Sequence, residues 1–349
     1  MVYNFIATDD CGNSISNTAS FTITDTTDPV WVNMPANQTV QCDGNGNTGE
    51  LAAWLNSFTA DDLCNDVAVT NNFTSLSNLC GATGSATVTF TATDECGNSV
   101  QQAASFSIVD TSNPYWVNEP VDLTVECNGT GNTVEFNTWL NGFTADDNCG
   151  SASVTYTFIS FNGGCGSTLS TTVNFKATDE CGNMITKIAV FTISDTSDPF
   201  WVNMPQDQVV ECDGNGNSVA LNAWLTGFTA DDACGDATVT YTFTSVEGEC
   251  GSTMITTANF TAADECGNTI TKLATFTIAD HTMPMITYCP PDVLIGCGAE
   301  SGVEALGSIT ATDICDANVT VSYTDSDTQG MDPELCDYYS YTITRTFTA

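Results

Sequence analysis

Apolar and polar residues alternate along much of this chain, with threonine, serine and asparagine at most polar positions. Residues 85–94 and 103–110 follow this period of two, and DECGN at 94–98 has the composition of a tight turn. Together they predict a β-hairpin. Residues 67–76 predict a further strand, and residues 37–42 predict a short first one.

Three stretches of the chain have a helical period instead, with apolar residues at i, i+3, i+4 and i+7. Asn47 is a candidate N-cap of the first of these helices, and Glu50 stands at position N3. The apolar positions are Leu51, Trp54, Leu55 and Phe58; Phe136, Trp139, Leu140 and Phe143; and Leu221, Trp224, Leu225 and Phe228. Short strands, turn signals and one short helix predict an all-β fold of tandem immunoglobulin-like sandwiches.

The tryptophans recur at matched positions, which favours packing in the core or between repeats. The alternative is that exposed aromatic rings bind sugars or a neighbouring strand. The residues are Trp31, Trp116 and Trp201 after the linkers, and Trp54, Trp139 and Trp224 in the helices.

A period of 85 residues organises the chain. DDCGN at 9–13 returns as DECGN at 94–98, 179–183 and 264–268, and similar linkers and glycine-rich loops keep the same spacing. We expect the C-terminal hairpin of a preceding, truncated repeat at 1–27. Three full repeats follow at 28–112, 113–197 and 198–282, and a truncated fourth at 283–349. Both ends cut through a repeat, so we expect a longer chain.

The composition of the chain excludes several classes of function. The 349 residues include 43 acidic and 4 basic ones, with a net charge of -39. Binding of nucleic acid through its phosphates needs Lys and Arg, so it is not expected, and neither is membrane insertion. A single histidine disfavours most acid–base catalysis, and we do not expect an enzyme. Seventeen cysteines indicate an oxidising, extracellular location.

Four cysteines in each full repeat allow three disulfide connectivities. In a sandwich, the first and third would lie at one end of the repeat and the second and fourth at the other. This predicts pairing within each repeat, and metal ligation is the alternative, although no CxxC motif supports zinc. The predicted bridges are Cys42–Cys80, Cys64–Cys96, Cys127–Cys165, Cys149–Cys181, Cys212–Cys250, Cys234–Cys266 and Cys297–Cys336. Cys11, Cys289 and Cys315 would be left over.

Several motifs resemble those of bacterial hyalin-repeat (HYR-like) modules: ITYCPPDVLIGCG at 286–298, ATDICDANVTVSYTDS at 311–326 and YTITRTFTA at 341–349. The resemblance covers essentially the whole chain, and repeats 1–3 look like a variant with tryptophans and an inserted helix. It implies immunoglobulin-like modules in tandem within very large secreted surface proteins, such as an adhesin, a stalk or an appendage subunit. It also implies export by the type IX secretion route in many such proteins.

Acidic residues fall in three places that a sandwich would bring to one junction: the linker, the loop before the second cysteine, and the hairpin turn. Such hard oxygen ligands suit Ca²⁺. The alternative is that these residues are solvated turn formers. The candidate ligands are Asp25, Asp28, Asp61, Asp62, Asp94, Glu95, Asp110, Asp146, Asp147, Asp179, Glu180, Asp195, Asp198, Asp231, Asp232, Asp264 and Glu265.

Two functions follow from these features. The first is a structural segment of a long extracellular filament or adhesin shaft that serves attachment to cells or surfaces and self-associates into a parallel filament or bundle. The second is a ligand- or glycan-binding adhesive module, which would need distinctive loops in one repeat. Repeats 1–3 are nearly interchangeable, and this favours the structural function.

Overall fold

The computed structural model describes residues 1–296 and 307–349. Within them the chain forms two compact units, one of residues 1–123, 134–161 and 171–191, the other of 124–133, 162–170 and 192–349. The first element is a hairpin of β1 (Val2–Thr8) and β2 (Ser14–Ser20). No helix in the described residues is long and apolar enough to cross a membrane.

The first full repeat shows the architecture. Its elements are β3 (Val30–Asn33), β4 (Gln38–Gln41), α1 (Thr48–Leu55), β5 (Thr59–Asp61), β6 (Val67–Asn71), β7 (Gly84–Asp94) and β8 (Ser99–Val109). Four strands form a sheet in the order β4-β8-β7-β6, with β4 parallel to β8 and the other pairs antiparallel. Strands β3 and β5 form a separate antiparallel ladder.

The next two repeats have the same element order. The second has β9 (Tyr115–Asn118), β10 (Leu123–Glu126), α2 (Thr133–Asn141), β11 (Thr144–Asp147), β12 (Gly150–Gly163), β13 (Leu169–Asp179) and β14 (Met184–Ser194). The third has β15 (Phe200–Asn203), β16 (Gln208–Glu211), α3 (Ser218–Thr226), β17 (Thr229–Asp231), β18 (Ala237–Glu247), β19 (Met254–Asp264) and β20 (Thr269–Ala279). The sheet order of the third repeat, β16-β20-β19-β18, matches that of the first.

The last part contains β21 (Met285–Tyr288), β22 (Thr310–Thr312), β23 (Ser322–Asp327), a 3₁₀ turn (Cys336–Tyr338) and β24 (Ile343–Thr348). Strand β21 pairs with β22, and β23 pairs with β24, both antiparallel. Cys297 lies outside the described residues.

Alternation along the long hairpin places one set of side chains in the core. Val88, Phe90 and Ala92 of β7 are buried, while the intervening threonines are half-buried or exposed. Helix α1 covers this face: the Trp54 ring packs edge-on against Phe90, and its Nε1–H donates to the Ala36 carbonyl oxygen at 2.8 Å. The predicted fold class is confirmed as a mostly β fold of tandem β-sandwich-like repeats, with a short helix in each full repeat.

The start of α1 differs from the predicted side-chain cap. Asn47 occupies the N-cap position, but in the left-handed region (φ 49°) and without a side-chain bond to the first helical turn. Its side-chain amide instead donates to the Gln41 carbonyl oxygen at 2.9 Å, and its Oδ1 accepts from the Asp43 amide at 3.2 Å. Asn47 therefore braces the loop between β4 and α1.

Candidate functional site

Five disulfides are the most distinctive chemistry of the described residues. Each one joins a cysteine of one repeat to a cysteine of the next, 101 to 107 residues further along the chain. The bonds are Cys42–Cys149, Cys80–Cys181, Cys127–Cys234, Cys165–Cys266 and Cys212–Cys315. Repeats 1 and 2 are therefore covalently connected at two points as well as through the linker, and so are repeats 2 and 3. In the described residues Cys212–Cys315 is the one bond from repeat 3 to the last part of the chain, and Cys250 is free.

The predicted pairing within repeats is wrong. Cys42 does lie beside the loop that follows Cys80, with its sulfur 4.0 Å from the Ala82 carbonyl oxygen. Both cysteines nevertheless bond to the following repeat, because its Cys149 and Cys181 reach them. The bridges Cys42–Cys80, Cys127–Cys165, Cys149–Cys181, Cys212–Cys250 and Cys234–Cys266 are thereby excluded.

The remaining cysteines also differ from that scheme. Cys64 and Cys96 are free and exposed rather than bonded to each other. Cys11 and Cys289 are free, and Cys315 bonds to Cys212. Cys250 and Cys336 are free as well, and the predicted partner of Cys336, Cys297, lies outside the described residues.

Backbone contacts reinforce the first of these junctions. The Ala82 amide donates to the Cys149 carbonyl oxygen at 2.7 Å, and the Gly81 amide donates to Glu180 Oε2 at 3.0 Å. Gly81 has a φ of 55°, and a Cβ there would overlap the Cys149 carbonyl oxygen. Only glycine suits both the conformation and the close approach of the two chains.

The same contact recurs at the next two junctions. The Ser167 amide donates to the Cys234 carbonyl oxygen at 2.6 Å, and the Ser252 amide to that of Cys315 at 2.8 Å. Cys149 is 2% exposed and belongs to the buried core of the first repeat, and Cys315 belongs to that of the third. Each such cysteine is thus a core residue of the repeat before its own.

Acidic side chains gather beside these disulfides. At the junction of the first and second repeats, one oxygen each of Asp110 and Asp147 and the Cys149 sulfur all lie within 4.8 Å of one another. Asp147 is buried, and its Oδ2 accepts from the Cys149 amide at 2.7 Å. The equivalent groups are Asp25, Asp62 and Cys64; Asp195, Asp232 and Cys234; and Asp280, Asp313 and Cys315.

The hairpin-turn aspartates have a different role. Asp179 Oδ1 accepts from the amides of Cys181 and Asn183, and its Oδ2 accepts from the Asn183 side chain. The Asn183 side chain also donates to the Asp110 carbonyl oxygen at 3.3 Å. These bonds fix the turn against the linker, and Asp94 and Asp264 are held by equivalent asparagines.

The structure divides the predicted ligands into three sets. The clusters contain Asp25, Asp62, Asp110, Asp147, Asp195 and Asp232. The hairpin turns are braced by Asp94, Asp179 and Asp264. The remaining candidates are exposed outside the clusters: Asp28, Asp61, Glu95, Asp146, Glu180, Asp198, Asp231 and Glu265. Sequence reasoning missed Asp280 and Asp313. The signal was there, since Asp280 follows Asp195 by one period and Asp313 stands two residues before a cysteine, as Asp147 does.

Nearby charges, burial and hydrogen bonds shift the pKa values of several groups in these clusters. Burial raises the pKa of Asp195, and repulsion from Asp232, Asp264 and Glu126 acts in the same direction. The charge of Asp25, followed by burial and the charge of Asp62, raises the pKa of the free Cys64 thiol. Hydrogen bonds from the side chain and amide of Thr27 lower the pKa of Asp25.

The donor set fits a hard cation better than a soft one. The sulfurs of Cys149, Cys234 and Cys315 are held in disulfides, so they are not thiolate ligands. One oxygen of Asp147 accepts a backbone hydrogen bond, as does one of Asp110, from Ser112. The remaining carboxylate oxygens would supply only part of the 6–8 ligands of Ca²⁺, and water or backbone oxygens would complete the set.

Comparison with known proteins finds a likeness only among solved structures, since no family model and no curated protein matches the chain. The protocadherin gamma B4 extracellular domain is 11% identical, with a TM-score of 0.32 over 95% of this chain and 69% of its own. Extracellular cadherin domains 1–5 of protocadherin gamma B2 are 12% identical, with a TM-score of 0.31 over 96% of this chain and 76% of their own. Drosophila N-cadherin EC1-4 is 10% identical, with a TM-score of 0.19 over 85% of this chain and 87% of its own. At TM-scores this low, the likeness carries no inference about function.

Proposed function

We propose that the chain is a structural segment of a long extracellular bacterial surface filament or adhesin shaft that serves attachment to cells or surfaces. The observation that carries this proposal is the set of disulfides between successive repeats. A binding module needs stable domains, and bonds within each domain would be enough for that. Bonds from one repeat to the next instead resist separation of the repeats.

The junctions support the same function through their packing. Hydrogen bonds from Thr111 to Gln41 and from Asn183 to Asp110 hold the linker between repeats 1 and 2 on both sides. Glu126 likewise accepts from the Thr196 amide at 2.7 Å and from the Ser197 hydroxyl at 2.9 Å. A linker bonded in this way has little freedom to bend, as a shaft requires.

Electron microscopy of the purified oxidised chain tests this proposal. We expect elongated particles, and we expect them to become markedly more bent after reduction and alkylation, because the disulfides no longer restrict motion between repeats. Alkylation without reduction is the control and should leave the particles unchanged. Compact particles under oxidising conditions would contradict the shaft.

The adhesive alternative has one observation in its favour. Tyr156, Phe158 and Phe161 of β12 are exposed, and the rings of Phe158 and Phe161 lie 5.0 Å apart. Aromatic rings of this kind bind the apolar faces of sugars. The first repeat has no such row: its equivalent positions are Asn71, Phe73 and Leu76, and both Phe73 and Leu76 are partly buried against the core. A glycan site would therefore belong to particular repeats and add to the structural role.

Calcium binding at the acidic clusters is a second proposal. Each cluster brings two carboxylates close together, and three of the four include a buried residue. The three ion pairs of the described residues, Lys187–Glu119, His281–Glu211 and Arg345–Asp325, include none of the cluster carboxylates. A bound cation would relieve the mutual repulsion of Asp195 and Asp232. The HYR-like identity, export by the type IX route and assembly into bundles stay predictions.

The variant Asp195→Asn should respond in opposite ways without and with calcium. The pKa of Asp195 is raised in the folded chain, so its ionised form costs stability at neutral pH, and this cost disappears as pH falls below the unfolded value of 3.8. In EDTA at pH 7, Asp195→Asn should therefore melt at a higher temperature than the parent chain. With calcium the parent should gain more, because the variant lacks a ligand.

Differential scanning calorimetry at several pH values checks this prediction. Asp198→Asn is the matched control, since Asp198 is in the same linker but is exposed and outside the cluster. An equal response of the parent and Asp195→Asn to calcium would show that the cluster is not a calcium site.

A further inference from the structure

Strand β18 is a long, open edge of the sheet in the third repeat. It pairs with β19 along all 11 of its residues, Ala237–Glu247, without a register shift, and the order β16-β20-β19-β18 places it last in the sheet. The amides and carbonyls on its outer side therefore have no strand to pair with in the described residues. Such an edge is a template for an added β-strand.

This edge lacks the features that normally prevent strands from pairing with other chains. No charged residue and no proline stands between Ala237 and Val246, although 43 of the 349 residues of the chain are acidic. Edge strands are usually protected by charged side chains, prolines or bulges. The neutral edge also allows a second acidic chain to approach without carboxylates facing each other.

The first two repeats do not present the same edge. In the first, the equivalent strand β6 ends at Asn71, and the chain then turns inward, with Phe73 and Leu76 half-buried against the core. In the second, β12 is longer still, but the sheet continues beyond it into β11 and β9. Among the three full repeats, the third is thus the one whose long strand ends its sheet.

The hydrophobic core is also open at β18. Val239 packs against the core, and the Tyr241 ring lies 6.1 Å from the fully buried Phe260, measured between centroids. Tyr241 and Phe243 nevertheless remain 37% and 49% exposed, because no strand follows β18 in the described part of the sheet. Threonines occupy the other side of β18. A partner strand therefore has to bring apolar rings to one side and small polar side chains to the other.

We propose that the β18 edge binds the same edge of a second copy of this chain as an antiparallel pair, with Thr242 at the two-fold axis. Two identical strands that pair through one edge satisfy this relation by symmetry. In this register Tyr241 of each copy stands opposite Phe243 of the other, so that the exposed rings cover each other. Aromatic pairs of this kind stabilise antiparallel strands.

The rest of the register is compatible as well. Thr240 of each copy stands opposite Thr244 of the other, and facing threonines are a favourable cross-strand pair. Glu247, which carries the one charge within β18, stands opposite Ala237 rather than opposite another carboxylate. The strand is therefore complementary to itself along its whole length.

A second copy fits this edge better than a basic partner does. A basic strand would find no carboxylate between Ala237 and Val246, and a strand without aromatic rings would leave Tyr241 and Phe243 exposed. The proposal rests on the structural role proposed above, for which it supplies a specific contact between neighbouring segments. The paired strands run in opposite directions, so this contact differs from the predicted parallel bundle.

Cysteine cross-linking tests the contact and its register. In Thr242→Cys the two introduced thiols would face each other at the axis, with Cα atoms about 4.5–5.5 Å apart, where a disulfide can form. Oxidised glutathione accepts the two electrons and becomes two thiols. Peptide mapping should then find dimers linked through position 242.

Two further variants are the controls for cross-linking. In Thr238→Cys the two introduced thiols would lie about 27 Å apart in the proposed register and should not bond to each other. Thr74→Cys introduces a thiol at an exposed position of the first repeat, where the equivalent edge is closed, and should not link two copies either.

Sedimentation equilibrium of the cysteine-unmodified chain gives the second measurement. Thr242→Asp sets two carboxylates against each other at the axis and should lower the dimer association constant by about tenfold or more. Thr74→Asp adds the same charge elsewhere and should leave the constant unchanged. For the parent chain the constant should rise between about 0.05 and 0.5 M NaCl, because salt screens the repulsion between two acidic chains.

Two outcomes would overturn the proposal. Equal linkage through positions 74, 238 and 242 would show random collision, and an unchanged association constant in Thr242→Asp would show that β18 is not the contact. The electron-microscopy test reads the form of single particles instead. Elongated particles without dimers would refute the strand pairing alone, and compact particles that still link through position 242 would refute the shaft alone.

Discussion

Pulled from its two ends, the oxidised chain should extend to a limit of about 40 nm, whereas the reduced chain should reach about 120 nm. The disulfides shorten the path that carries tension: it crosses from Cys42 to Cys149, returns to Cys127, crosses to Cys234, returns to Cys212 and crosses to Cys315. This path contains about 120 residues of backbone, at about 3.4 Å each when fully extended. Single-molecule force spectroscopy measures both limits.

A double variant makes the test quantitative. With Cys42→Ser and Cys149→Ser, the shortest remaining path runs through Cys80–Cys181 and Cys165–Cys266, and the oxidised limit should rise to about 60 nm. The control Cys11→Ser removes a free, exposed cysteine and should leave the limit at about 40 nm. A parent limit near about 65 nm would contradict the structure, because that is the length that bridges within each repeat allow.

Replacing the helix tryptophan should have the largest effect on stability. Trp54 is 3% exposed, and its ring lies 5.2 Å from Phe90 and 5.4 Å from Phe106, measured between centroids. The change Trp54→Ala removes these contacts and leaves a cavity between the helix and the sheet, which should cost about 3–5 kcal/mol. Amide hydrogen exchange in β7 and β8 should then be faster by a factor of about 10² to 10⁴.

The hydrogen-exchange experiment on Trp54→Ala has an internal control and a matched variant. Amides of β19 and β20 in the third repeat should keep their protection, because Trp224 still covers Phe260 and Phe276 there. Trp54→Phe should cost less than Trp54→Ala, because it retains an aromatic ring and loses mainly the hydrogen bond to Ala36. Unchanged exchange in β7 and β8 of Trp54→Ala would show that the helix does not stabilise the sheet.

Local features of the chain could be predicted because local physics decides them. The alternation at 85–94 and 103–110 predicts the hairpin β7–β8, and the turn between them forms where DECGN stands. The spacing of Leu51, Trp54 and Leu55 predicts α1, with tryptophan on its buried face. The predicted side-chain cap did not form, because the Asn47 side chain is bonded instead to the backbone of Gln41 and Asp43 before the helix. The residue pattern alone does not show that these competing partners lie within reach.

The candidate site could be predicted only in part. The aspartates of the linker and of the loop before the second cysteine do meet, as at Asp110 and Asp147. The turn aspartate Asp179 looks the same in sequence, but it is occupied by the amides of its own turn. Which carboxylates face each other and which face a backbone amide depends on distances that the residue pattern does not contain.

By itself, the sequence determined the 85-residue period, the order of strands and helix within it, and the acidic character of every junction. Only the tertiary structure decided which cysteines bond. In a periodic chain every cysteine position of one repeat recurs in the next, as Cys64 recurs at Cys149, so the spacing alone cannot tell a bond within a repeat from a bond to the next repeat. A disulfide forms where Cα atoms approach to about 5–6 Å, and folding brings Cys42 and Cys149 to 5.9 Å across the junction.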